Sequence, residues 1–291
     1  MSKSGNNILV PVDFSEQSVI SIEQTFNLAR LTGATIVLLH VLKVTKSWLG
    51  MFSNGEQQLM RMKIKEKLNK LANEARSKSG LMVDTMLKDG KLLENILLSA
   101  KETKANFIVI GTHSSSNFKQ RIIGHNASRL VKEAKCPVIT IKGKHHRDGC
   151  KNIILPLDLT KETREKVSRA LHFAKYFDAR IHAVTVITTD NQSLIKKLNV
   201  QMQQVVKFVN QKGVNCLWNV IKVKNASDEI ATKLIEYGKS KEGDLIIIMT
   251  QQEIDFTEYF IGSTATAIIE SSDIPVMSIN PTFKHNYNVI I

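Results

Sequence analysis

The 291-residue chain has little sulfur chemistry to offer: its three cysteines, Cys136, Cys150 and Cys216, are widely spaced and form no CxxC pair. That number and spacing argue against a disulfide framework and a structural zinc site, so they read as reduced thiols. No run of about eighteen apolar residues is present, as a membrane-spanning helix would need. The opening MSKSGNNILVPVDF has too short an apolar stretch, and no small-residue cleavage site, for a signal peptide. A cytoplasmic protein is expected. Aromatic residues make up only 6% of the chain, with no base-stacking motif, zinc finger or clear helix-turn-helix, which sets nucleic acid aside. Two phosphate signatures are missing as well. Neither GxGxxG nor GxxxxGK[ST] occurs, so hydride transfer on a dinucleotide and Walker-type phosphoryl transfer lose their support. There is no GxSxG elbow for a nucleophilic serine either.

What is present is a globular balance, 43% apolar and 23% charged. The net charge of +13 is unevenly shared: 22 basic against 11 acidic residues in 1–145, and 18 against 16 in 146–291. The first half is the one that attracts anions. Much of its excess lies in RMKIKEKLNKLANEARSK (61–78), where Met62, Ile64, Leu68, Leu71 and Ala75 fall near helical spacing. The lysines there read as a solvated helix face, with a membrane or partner contact as the alternative.

The chain repeats itself. NILVPVDFSEQSVISIEQTFNLARLTGATIVLLHVL (7–42) matches NIILPLDLTKETREKVSRALHFAKYFDARIHAVTVI (152–187), 145 residues on. The ends match at an offset of 138, IIGHNASRLVKEAKCPVITI (122–141) with FIGSTATAIIESSDIPVMSI (260–279). Two copies of one domain are therefore fused, 1–145 and 150–291, joined through the polar segment 142–151. Within each copy short apolar runs alternate with amphipathic stretches, which predicts a parallel sheet with helices on both faces. In the first copy the strands are expected at 8–13, 35–42, 82–88, 107–111 and 138–141, and helices at 15–31, 56–78, 91–103 and 124–134. Ser15 is the expected N-cap of the first helix.

Ligands of open parallel sheets bind beyond the carboxyl ends of the strands where strand order reverses, which nominates the loops after the first and fourth strands. The first, PVDFS, carries Asp13, which either accepts from a ribose hydroxyl or adenine amine or caps the next helix. The second, GTHSSSNFKQRIIGHNAS (111–128), leaves a strand at Gly111 and enters a helix at Gly124, where unpaired N–H groups favour an anion. His113, His125 and His40 could be drawn as a metal cluster, but they lack ligand spacing and read as separate. Cys136 is expected to pack at the start of the last strand.

The motifs VPVDFS, LLHV, DGKLLENILLSAKETKANFIVIGTH and IIGHNASRLVKEAKCPVITI, with LPLDLT and IGSTATAIIESSDIPVMSI in the second copy, resemble the universal stress protein family over nearly the whole chain. The resemblance implies two tandem open five-stranded parallel sheets, three-layer α/β/α and Rossmann-like, of the adenine nucleotide alpha hydrolase type. It further implies ATP or another adenine nucleotide, with Mg²⁺, bound by Asp13, Val41 and a phosphate loop running from Gly111 to Gly124 and a following hydroxyl. In that loop Ser114 stands where the family has a second glycine and His125 where it has the hydroxyl, with Asn126 as an alternative donor. In the second copy Asp158, Gly262, Ser263 and Thr264 are kept, while Met249 and Gln252 replace the first two glycines. Met249 and the acidic Glu253, Asp255 and Glu258 are expected to repel a triphosphate, leaving that copy as a degenerate site and structural partner. The functional expectation is a nucleotide-binding sensor or regulatory module in stress response, acting on an unidentified protein partner. Slow ATP hydrolysis is the most enzymatic form of it, and no catalytic residue or metal site is assigned. An internal pseudo-dimer of the copies and a homodimer of chains are expected from how such domains pair. The alternatives are an interaction scaffold with both pockets decayed, or pockets reshaped for a lipid or another anion.

Overall fold

The computed structural model describes residues 6–43, 53–112, 122–143, 149–158, 163–224, 228–250 and 262–280, with the backbone alone for 122–126 and 228. The chain divides into two compact units, Met1–His146 and Arg147–Val289. In the first, β1 (Asn7–Pro11), α1 (Glu16–Thr32), β2 (Thr35–Leu42), α2 (Asn54–Ser79), β3 (Val83–Asp89), α3 (Leu92–Glu102), β4 (Ala105–Gly111), α4 (Ile122–Glu133) and β5 (Val138–Ile141) alternate along the chain. The second repeats them as β6 (Asn152–Pro156), α5 (Thr163–Phe177), β7 (Arg180–Ile187), α6 (Gln192–Gln211), β8 (Cys216–Lys222), α7 (Asp228–Ser240), β9 (Leu245–Met249), α8 (Ser263–Ser271) and β10 (Val276–Ile279).

The strands of the first unit run β3-β2-β1-β4-β5 and those of the second β8-β7-β6-β9-β10, every pairing parallel. Helices on both faces of a parallel sheet bury the strands on two sides, which is why they read as continuous apolar runs. Ile8, Leu9 and Val10 of β1 and Ile153, Ile154 and Leu155 of β6 have no exposed surface. The strand order reverses between β1 and β4, and in the second unit between β6 and β9.

Local chemistry sets the helix ends. Ser15 caps α1 in an extended conformation, its hydroxyl oxygen accepting the Ser18 N–H at 3.3 Å. Gly33, at φ 63°, turns the chain out of α1 while its N–H returns to the carbonyls of Ala29 and Arg30. The α2 helix starts two residues earlier than the apolar spacing indicates, because Ser53 and Glu56 form a reciprocal capping box. β1 is shorter than expected and ends at Pro11, since the chain turns sharply at Asp13 to Ser15 with Phe14 at φ 63°. Among the described residues no helix is long and apolar enough to cross a membrane.

The three cysteines are free, and burial pushes the thiols of Cys136 and Cys150 up to about 12 and that of Cys216 to about 11. At neutral pH they pack as small apolar groups without thiolate character. His182 in the middle of β7 is 4% exposed, and its Nε2–H donates to Asn152 Oδ1 at 3.1 Å. Burial holds its pKa below the ordinary 6.5, with help from Arg180 and Lys241, and burial lowers His172 in the same way. A histidine kept neutral in the fold binds fewer protons below pH 6.5 than it does in the unfolded chain, so stability rises with pH through this window and is lost on acidification. Thermal denaturation should therefore show a falling midpoint between pH 7.5 and 5.5, and His182→Gln should flatten part of that slope; an identical slope in the variant would assign the acid sensitivity elsewhere.

Candidate functional site at the strand ends

At the switch point of the first unit, Val12 has both backbone groups engaged. Its N–H makes the last ladder bond to Leu39 O at 2.8 Å, and its carbonyl accepts from His40 Nδ1–H at 2.8 Å. The chain then turns. Asp13 is exposed, and its Oδ1 accepts from the Ser15 N–H at 3.0 Å and from the Ser15 hydroxyl at 2.5 Å. The side chain thus closes an Asx turn and orients the hydroxyl that caps α1. Phe14 pays about 1–2 kcal/mol for its left-handed backbone. Its ring lies 4.6 Å from the His40 ring, tilted by 33°, and Lys67 Nζ of α2 sits 4.5 Å from its centroid. An aromatic pair at about 0.5–1.5 kcal/mol and an exposed cation–π contact at about 0.5–1 kcal/mol are enough to offset that strain.

Gly111 ends β4 against α1. A Cβ there would lie 2.6 Å from Gln17 O and 2.6 Å from Ser21 Oγ, so this glycine is required by helix packing whatever it does for a ligand. The same corner is tied together through Ile141 O, which accepts from Thr112 N–H at 2.8 Å and from Gln17 Nε2 at 3.1 Å. Val41, 8% exposed, sits near the end of β2 opposite Lys88 of β3. The fold therefore sets Val41, Asp13 and Gly111 at the ends of three neighbouring strands. The α4 helix begins at Ile122, so Gly124 is its third residue and not its first; the N–H groups of that first turn have no intrahelical acceptor. His113 to Asn117, Ser114 among them, lie outside the described residues, as do the side chains of His125 and Asn126.

The second unit keeps the framework and changes the filling. Leu157 N–H bonds Val184 O at 2.8 Å, Thr185 Oγ1 donates to Leu157 O at 2.9 Å in the place of His40, and Thr250 N–H bonds Ile279 O at 3.1 Å. A cavity of 260 Å³ opens at these strand ends, bringing Asp158, Met249, Gly262, Ser263 and Thr264 together with Val186, the counterpart of Val41. Met249, 7% exposed, lines this space without closing it. Gln252, Glu253, Asp255 and Glu258 lie outside the described residues. The residue that sequence reasoning misses is Lys166. It stands at the repeat position of Ser21, is 8% exposed, and places Nζ 3.1 and 3.0 Å from the two carboxylate oxygens of Asp158. The only sequence signal for it is a charge in the buried stripe of an otherwise matching helix. His40 is committed to Val12, and no group of three metal-ligating side chains occurs among the described residues.

The sequence profile of the universal stress protein family matches residues 5–142 and again 149–280. A universal stress protein of Methanocaldococcus jannaschii is 28% identical over 142 residues, 46% of this chain and 81% of that protein. The crystal structure of a universal stress protein from Archaeoglobus fulgidus superimposes with a TM-score of 0.73 at 17% identity, covering 96% of this chain and 97% of that one. Another from Archaeoglobus fulgidus, solved in complex with dAMP, covers 47% of this chain and 98% of its own at 25% identity and a TM-score of 0.37.

Gly111→Ala should destabilise the first unit by about 1–3 kcal/mol, the range for overpacking a filled site. Urea denaturation checks this, and an unchanged midpoint would show that α1 yields to the added methyl.

Proposed function

The chain belongs to the universal stress protein family as a tandem pair of its domains, and from that premise we propose that it is an adenine-nucleotide-binding regulatory module whose working site is in the first unit. The observation that carries the reading is the alignment of Val41, Asp13 and Gly111 on the ends of adjacent strands, where an open parallel sheet takes its ligands. In this reading Asp13 accepts from the ribose hydroxyls, its orientation preset by Ser15. The first turn of α4, with Gly124, His125 and Asn126, receives phosphate through backbone N–H groups and the helix dipole. The excess of 22 basic over 11 acidic residues in 1–145 favours the approach of a polyanion with or without Mg²⁺. Ser114 in place of glycine still offers an N–H and a hydroxyl to phosphate.

Function then follows from differential stability. Nucleotide held between Asp13 and α4 favours one arrangement of the strand-end loops over another, and a protein partner that reads those loops is regulated. No group is assigned as a general base, so turnover is not part of the proposal.

Calorimetric titration of Mg²⁺-ATP into protein stripped of co-purified ligand should give saturable binding near one site per chain. Asp13→Ala should weaken it by about tenfold or more, as expected for hydrogen bonds to a charged group worth about 1.5–3 kcal/mol. Gly124→Asp should abolish it while the thermal melt is retained. Absence of heat, together with no nucleotide released on denaturing the purified protein, would overturn the reading in favour of an interaction scaffold.

A further inference from the structure

The strand-end cavity of the second unit has no part in the nucleotide reading, and its lining mixes two chemistries. It is lined by the aliphatic Leu157, Val184, Ile230, Leu234 and Ile248 and by the polar Asp158, Lys166, Thr250, Ser263 and Thr264. Burying an ammonium is costly unless it is paired, and the structure pairs Lys166 with Asp158. That pairing neutralises the carboxylate whose counterpart in the first unit is proposed to receive a ribose, so the two units present this group differently. It does not exhaust the ammonium, which has three N–H donors against the two oxygens of Asp158.

The charge arithmetic points to a different guest. Among the described residues Lys166 and Asp158 cancel, leaving the N-terminus of α8, where Gly262 supplies no capping side chain and a helix dipole contributes about half a positive charge. These groups suit at most one negative charge and not the several of a triphosphate. Its 260 Å³ falls just below the range of about 300–1,000 Å³ usual for drug-sized ligands.

We propose that this cavity binds a compact organic monocarboxylate, whose carboxylate lies between the Lys166 ammonium and the first turn of α8 and whose apolar body rests on the wall formed by Ile230, Leu234 and Ile248. Lys166 is the specificity-determining residue: it neutralises Asp158 and supplies the donor for a single anionic head. The site uses residues of the second unit alone, so it stands or falls separately from nucleotide binding at Asp13.

The probe is hexanoate, with 1-hexanol as its uncharged counterpart, titrated into the full chain carrying 13C-labelled isoleucine δ1 methyls. Saturable shifts are expected at Ile230, Ile248 and Ile268, which line the cavity, while Ile8, Ile36 and Ile108 in the core of the first unit stay in place. Lys166→Met should weaken hexanoate by about tenfold to a hundredfold, the effect of losing a charge-assisted hydrogen bond, and leave hexanol unchanged. Thr264→Asp puts a second negative charge at the start of α8 on a half-exposed residue; it keeps the proposal testable if Lys166→Met fails to fold, and should weaken hexanoate to a similar degree. No saturable shift at the three methyls, equal affinity for hexanoate and hexanol, or hexanoate binding unchanged in a folded variant would overturn the proposal.

Discussion

Everything at the two strand-end sites depends on a backbone residue whose polar groups are both engaged. Val12 gives its N–H to the ladder and its carbonyl to His40, and Leu157 does the same with Thr185 in place of the histidine. A carbonyl at the end of a buried strand must find a donor, and here the donor comes from the neighbouring strand. The consequence is that the chain leaves the sheet at a fixed point and angle, so the aspartate that follows projects at the mouth of the switch point and not into the core. Imidazole and hydroxyl do this equally well, which is why the two copies share a frame without sharing that residue.

Much of this is legible in the sequence. The alternation of apolar runs and amphipathic stretches, doubled along the chain, indicates the parallel sheets, and the strands found at Thr35–Leu42 and Val138–Ile141 coincide with those expected. Ser15 as N-cap follows from its chemistry and its place before the helix. What the sequence does not disclose are contacts between residues far apart in it. Gly111 reads as part of a phosphate loop, yet its missing side chain is demanded by Gln17 and Ser21 on a helix ninety residues away in the chain. Lys166 reads as one more surface lysine until its burial beside Asp158 is seen. The loops richest in candidate residues, around Ser114 and Gln252, lie outside the described residues, and their roles rest on the proposal above.

The two copies differ at this corner in a correlated way. Where the first has glycine on the strand and serine on the helix, the second has Met249 and Lys166, a larger residue on each partner. In the geometry of the first unit any Cβ at position 111 meets the helix backbone, whereas Lys166 of the second unit meets Asp158, the counterpart of Asp13. Taken together they exchange a close glycine–helix contact for a larger strand residue and an internal ion pair. Duplication of a domain makes such an exchange tolerable, because one copy can change while the other holds its own arrangement.

The placement of Phe14 has a consequence beyond the turn it occupies. Its ring is held by His40 on one strand and by Lys67 on α2, a helix whose Arg61, Lys63 and Lys65 are exposed. The loop bearing Asp13 and the basic surface of α2 are therefore thermodynamically linked through one aromatic ring. An acidic partner that draws Lys67 away from the ring shifts the strain of the left-handed turn onto the loop. By reciprocity, a ligand whose affinity for the loop is changed by that partner changes the affinity of α2 for the partner by the same factor.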